Sequence, residues 1–298
     1  MQWDHVPIKR APERIVSLVP SITETLFDLG FGQTVTGRTV YCRFPLGSVE
    51  SIPVVGGPKN PDIDHIKALK PDLVIMSRDE NPLQAAQALS DAGIPVWAVH
   101  PVTIDGCLAM LWDLVRLFRS DRAGMMVDQL ERTVEIQRHA AVEAPNFQYF
   151  CPIWSDTMPG GGNWWMTFNR QTYSSDLLAL FGGCNIFAKW ERRYPLEANW
   201  GGAEMESAGD RDIRYPVVTD GQIKASRPDI IILPDEPYDF SEDEAAHLRS
   251  ITEKQGTLFA KDVLRVDGSL LFWYGSRLGK ALALLPGLIE QIVTNTSD

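Results

Sequence analysis

Residues 66–76 read IKALKPDLVIM, and residues 223–233 read IKASRPDIIIL. In both, a helical tail meets a proline and an aspartate leads into an unbroken apolar run. A helix therefore stops at Pro71 or Pro228, and a strand starts past Asp72 or Asp229. Strands apolar on both faces belong in parallel sheets covered by helices on both sides. Two such copies predict two α/β lobes of similar build.

Upstream of the first copy, RIVSLV (14–19) is a β-rich run, and Pro20 follows it. Ser21-Ile-Thr-Glu24 then has the S-x-x-E form of a helix capping box. The helix TETLFDLG ends at Gly30, and a new β-rich run, TVTGRTV, starts at Thr34. From Thr103 to Ala144 no strand signal appears. Within that segment Ala123, Val127, Leu130, Val134, Gln137 and Ala141 recur at helical spacing. The stretch Asp121 to Ala144 is predicted as one helix of roughly 36 Å, long enough to join two lobes stiffly. The expected organisation is an N-terminal α/β lobe at 10–102, linking helices at 103–145 and a C-terminal α/β lobe at 146–296.

With 44% hydrophobic and 22% charged residues among 298, the chain can bury two proper cores. The net charge of −11 leaves no basic footprint for nucleic acid. No run approaches the roughly 20 apolar residues of a membrane-spanning helix, so membrane insertion is not expected. MQWDHVPIKRAPERIV carries no apolar signal core, so the chain as given is expected in the cytoplasm, or in the periplasm or on a lipid anchor if an export signal was trimmed. Cys42, Cys107, Cys151 and Cys184 stand far apart without a CxxC, which fits reduced core cysteines better than disulfides or zinc ligands.

Open parallel sheets take ligands outside the carboxyl ends of their strands. The candidates there are Ser21, Tyr41, Cys42, the Gly56-Gly57 pair with Lys59, the turn Arg78 to Asn81, and His100 in the first lobe. In the second they are Trp154, Asp235, Glu236, Tyr238 and the run Trp273-Tyr274-Gly275-Ser276-Arg277. Ser21 reads equally as a helix cap, and the glycines as a tight turn. PGGGNWWM places Trp164 and Trp165 after a glycine run, which suits either a wet, aromatic-lined cleft or a packing surface. In VDGSLLFWYGSR (266–277) three adjacent rings fit neither the helical nor the strand period, as expected of a wall facing a flat ligand. Cys42 is a candidate soft ligand to a chelated metal, with Arg43 lowering its pKa, or else a small buried cysteine beside Tyr41.

Phosphate-loop, dinucleotide-binding and nucleophile-elbow patterns are all missing, and the five histidines are scattered. No catalytic residue is expected, and the only weak metal candidates are Cys42 and His100. The alternative is a metal-dependent enzyme or direct metal-ion binder using Glu80, His100, Asp235 and Glu236.

With RIVSLVPSITETLFDLG, Thr39-Val-Tyr-Cys42, VVGGPKNPDIDHIKALKPDLVI and VDGSLLFWYGSR in view, the chain resembles the helical-backbone substrate-binding proteins of ABC importers. Its pattern is closest to the vitamin B12 branch and related to iron-siderophore and haem binders. The resemblance runs from about Arg14 to Leu285. It implies two Rossmann-like lobes bridged by a long helix, with one ligand in the cleft between them. The matching aromatic positions are Tyr41, Trp154, Trp273 and Tyr274, and Arg277 is expected to meet amides or phosphate of the ligand. The implied function is non-catalytic binding of a corrinoid, cobalamin-like, or a similar metal chelate by a monomer. An ABC permease is the implied partner, but where the family docks through one acidic residue on each lobe this sequence departs from the pattern, with Leu83 (Glu80 nearby) and Gly221 (Asp220 nearby) at the approximately matching positions. The segment 191–216, which holds Arg-Tyr-Pro twice, is expected as an extra loop at the cleft mouth.

Overall fold

The computed structural model describes residues 5–143, 145–254, 257–258 and 263–294. Ala144, the last residue of the predicted linking helix, and residues 295–296 of the predicted second lobe lie outside them. The chain divides into two compact units. One runs through Thr133 and takes in Trp273–Lys280; the other holds Val134–Phe272 and resumes at Ala281.

The first unit contains β1 (Ile15–Ser17), α1 (Pro20–Asp28), β2 (Val35–Arg38), α2 (Ile63–Ala68), β3 (Leu73–Ser77), α3 (Leu83–Asp91), β4 (Val96–Val99) and α4 (Ile104–Phe118). The predicted long helix, α5 (Asp121–Glu143), begins there and ends in the second unit. The strands form a parallel sheet in the order β2-β1-β3-β4. β1, β3 and β4 are buried along their whole length, as two-sided cover requires.

The second unit contains β5 (Phe147–Phe150), β6 (Pro152–Thr157), β7 (Asn163–Thr167), α6 (Tyr173–Ala179), β8 (Gly183–Asn185), β9 (Val217–Thr219), α7 (Asp220–Ser226) and β10 (Ile230–Pro234). After these come α8 (Glu242–Thr252), β11 (Glu253–Lys254), β12 (Thr257–Leu258), β13 (Val263–Val266) and α9 (Ser269–Phe272), and α10 (Arg277–Thr294) ends the described chain. Its main sheet is parallel, in the order β13-β10-β5-β8. A three-stranded antiparallel sheet, β6-β7-β9, joins it. The sequence reading did not foresee this sheet. Trp164 and Trp165 are adjacent yet both buried, so β7 shows no alternation, and Gly160, Gly161 and Gly162, all at positive φ, turn β6 back onto it.

The two copies of the repeat fold alike. Lys70 and Arg227 both take the left-handed conformation at φ 49°, just before the proline; Lys70 stands one residue past the cap of α2, and Arg227 is itself the cap of α7. Asp72 then accepts backbone N–H bonds from Glu13 (2.8 Å) and Arg14 (3.1 Å), beside the start of β1. Asp229 accepts one from Gln148 (2.7 Å) in β5. Each aspartate thus pins the neighbouring parallel strand in register.

The expected capping box at Ser21 is not formed. Pro20 is the first helical residue, which suits a ring lacking an N–H, and Val19 stands at the cap without a side-chain bond. Gly30 sits just past the helix at φ 88°, as predicted. Three of the four cysteines are buried as expected, but Cys184 is exposed because β8 is an edge strand.

Candidate ligand-binding faces

Past the carboxyl end of β2, the first unit presents Tyr41, which is 55% exposed. Three residues on, Phe44 meets Trp273 edge to face, with ring centroids 6.0 Å apart. The Arg277 guanidinium lies 4.9 Å from the centroids of both rings. Its Nε donates to Glu24 Oε2 at 2.7 Å, and Lys280 Nζ reaches Glu24 Oε1 at 2.9 Å. Gly275, at φ 93°, fits because any Cβ there would fall on Thr25 Oγ1. Its N–H donates to Cys107 Sγ at 3.0 Å, and burial pushes that thiol up to about 12.

Several predicted contacts are interior groups here. Arg277 is only 5% exposed and serves Glu24, so it is not the open cation expected for ligand amides or phosphate. Tyr274 is buried, and burial, followed by the Glu80 charge, raises its pKa. Adjacent rings thus go to different places: Phe272 packs edge-on against Phe168, Trp273 against Phe44, and Tyr274 turns inward. Cys42 is fully buried with Thr23 and Thr39 hydroxyls 3.0 and 3.1 Å from its sulfur. Burial raises its pKa against the expected lowering, so it is a packed thiol and not an exposed metal ligand. Ser21 is buried inside α1. Asn81 is buried too, accepting from Ser77 N (2.7 Å) and donating to Pro58 O (2.8 Å), which ties the turn after β3 to the Gly56-Gly57 loop. Lys59 is exposed and donates to Asp79 O at 2.9 Å. His100 Nδ1 lies 3.4 Å from Asp79 Oδ1.

In the second unit Trp154 is 44% exposed and stands edge-on to Tyr238, with centroids 5.0 Å apart. Tyr238 Oη donates to Glu244 Oε1 at 3.1 Å, and the Ser155 hydroxyl donates to the same oxygen. Burial alone would raise the Glu244 pKa; the bonds from Ser155, Ser241 and Tyr238 outweigh it and hold the carboxyl below its usual range. Trp164 and Trp165 are both buried within the second unit. Trp164 stacks on Trp200 at 6.4 Å, and Trp165 Nε1 donates to Asp220 Oδ1 at 2.7 Å. Asp220 also meets His247 Nε2 at 2.8 Å, so the carboxylate near the matching docking position is engaged within its own unit. Asp235 accepts from Gly268 N at 2.7 Å, and Glu236, half-buried, lies against Gly268. Among the described residues no group of three or more His, Cys, Asp or Glu is placed to hold a metal ion.

Sequence reasoning missed Phe44, Glu24 and Glu244. Phe44 follows directly on Cys42 and Arg43, which were already singled out, whereas partners some 250 residues from Glu24 leave no local signal.

The periplasmic binding protein family matches residues 15–255, well over half of the chain. The chain belongs to the periplasmic binding protein family. This binding protein is therefore a solute binder and not an enzyme. It is 24% identical over 225 residues to the vitamin B12-binding protein of Yersinia pestis (strain Pestoides F), covering 75% of this chain and 70% of that one. Among solved structures, the periplasmic vitamin B12-binding protein BtuF of Vibrio cholerae superposes with a TM-score of 0.72 at 20% identity, covering 95% of this chain and 98% of that one. The periplasmic heme-binding protein RhuT from Roseiflexus sp. RS-1, in apo form, gives 0.69 at 20% identity, over 94% and 98%. These likenesses carry the two-unit α/β fold. They also overturn the expected cytoplasmic location, because both the family and these solved relatives are periplasmic. An export signal is cut from a mature protein, so its lack in a sequence says nothing about compartment.

Proposed function

We propose that this protein is a periplasmic carrier for a corrinoid or a similar metal chelate, delivering it to an ABC permease. The observation that carries this reading is the exposed Tyr41, with the partly buried Trp273 beside Phe44, past the carboxyl end of a parallel strand, where open α/β sheets take their ligands. Broad ring faces suit a wide, partly apolar ligand. The names of the vitamin B12- and heme-binding relatives point to the same ligand class. Ligand contacts are assigned to Tyr41, Lys59 and Trp273 in the first unit and to Trp154, Glu236 and Tyr238 in the second. The metal-dependent enzyme considered from sequence is not favoured, since the family that matches residues 15–255 is one of solute-binding proteins.

The test is a binding screen of the purified protein against cobalamin, cobinamide, haem and ferric siderophores, read by absorbance and tryptophan fluorescence. At least one should bind tighter than about 100 μM, or about −5.5 kcal/mol. Failure of all four sinks the ligand class. With the ligand found, Trp273→Ala should weaken it by about 1–3 kcal/mol, the range of ring stacking, at little change in apo stability. A core-sized drop of about 3–5 kcal/mol in apo stability would instead make Trp273 a packing residue.

A further inference from the structure

The segment after β8 leaves the carboxyl end of the second unit's parallel sheet and returns at β9, and the chelate reading makes no use of it. Its fold is well tied. Asn199, 5% exposed, accepts from Arg193 N (3.0 Å) and donates to Arg193 O (2.9 Å) and Leu196 O (2.8 Å). Tyr194 Oη donates to Asp212 O at 2.8 Å, and the Arg192 N–H donates to Ile213 O at 3.0 Å. Beside these bonds lies an open pocket of about 500 Å³, with Lys189, Arg192 and Arg193 set against Trp190, Met205 and Ile213.

Among the described residues none of these three cations makes an ion pair, although the protein carries a net charge of −11. Arg192 is the telling one. Its Nε is buried without a hydrogen-bond partner among the described residues, its Nη1 faces only a weak acceptor, the Met166 sulfur, at 3.9 Å, and its guanidinium lies 5.3 Å from the Tyr194 ring. That Nε is closed to water, so Arg192, which is only half-buried, offers the pocket its positive charge and its outer nitrogens rather than the Nε donor. Two carboxylates share the lining: Glu206 is offset by Arg211 at 3.4 Å, while Glu191 is exposed and cancels one cation. The local balance stays positive.

We infer that this pocket is a second binding site, for a small organic anion that joins a carboxylate or phosphate head to an apolar body. Lys189, Arg192 and Arg193 take the head; Trp190, Ile213 and Met205 take the body. Calorimetry with phenyl phosphate, inorganic phosphate and benzoate, with no chelate present, tests this site independently of the carrier reading. Phenyl phosphate or benzoate should saturate one site with a dissociation constant below about 1 mM, and inorganic phosphate should bind at least about tenfold more weakly. Phenyl phosphate alone would mark a phosphate head, benzoate alone a carboxylate. Arg192→Gln and Lys189→Gln should each weaken the better probe about tenfold while the unfolding midpoint stays in place. Because Lys189 is exposed, its variant decides the matter even if Arg192→Gln folds poorly. Absence of saturable binding, equal binding of inorganic phosphate, or unchanged affinity in Lys189→Gln overturns the site.

Discussion

Glu24 is 2% exposed and holds two cations, the buried Arg277 and the half-exposed Lys280. Taking one member from a buried pair leaves the other charged and unpaired, which costs more than the pair contributes. Glu24→Gln should therefore lower unfolding stability by about 3–5 kcal/mol in a denaturant titration. Adding Arg277→Met should restore part of that loss, because no buried charge remains and Lys280, with a side chain 53% exposed, keeps its water. A double variant as unstable as the single one would contradict this account. From sequence, Ser21 and Glu24 read as a capping box; the partners that claim the glutamate lie at the far end of the chain. Burial likewise divides the rings of Phe272-Trp273-Tyr274, which share one composition and three different surroundings.

At the scale of elements, each unit repeats one device: a helix, a left-handed Lys70 or Arg227 after it, a proline, and an aspartate that clamps the adjacent parallel strand. Removing the carboxylate leaves N–H groups beside that strand without their acceptor, at about 1–3 kcal/mol for an unsatisfied buried group and less where water can reach it. Asp72→Ala should cost more than Asp229→Ala, because Asp72 serves two N–H groups and Asp229 one. Hydrogen exchange checks it site by site: the Glu13 and Arg14 amides should speed up in the first variant and the Gln148 amide in the second. Equal costs, or unchanged exchange at those amides, would argue against the clamp. This device was legible as a sequence repeat, since proline and aspartate act on their immediate neighbours. The β6-β7-β9 sheet was not, because two buried tryptophans in succession erase the strand period.

For the molecule as a whole, Trp273–Lys280 belongs with the first unit although it follows the strands of the second. It supplies Arg277 and Lys280 to Glu24, the Gly275 N–H to Cys107 and the Ser276 N–H to Thr25 (3.0 Å). A chain ended before Trp273 should therefore lose exchange protection in β1 and β3, even though every strand of that sheet remains. Full protection of β1 and β3 in such a truncation would show that the segment is dispensable to the first unit.

Short-range rules determined much of this protein from sequence alone: the α/β class, the repeated helix–proline–aspartate–strand, the long α5 and the Gly30 stop. Each depends on backbone sterics or periodicity within a few residues, which a sequence displays directly. The resemblance also pointed to Tyr41, Trp154 and Trp273 as candidates, and how far each is open to solvent was decided by the fold. Only the tertiary structure decided that Arg277, Tyr274, Cys42, Trp164 and Trp165 turn inward, and that Phe44 completes the ring pair with Trp273. Burial and charge pairing depend on groups brought together from distant parts of the chain, and no local pattern encodes which of several aromatic or charged side chains meets water.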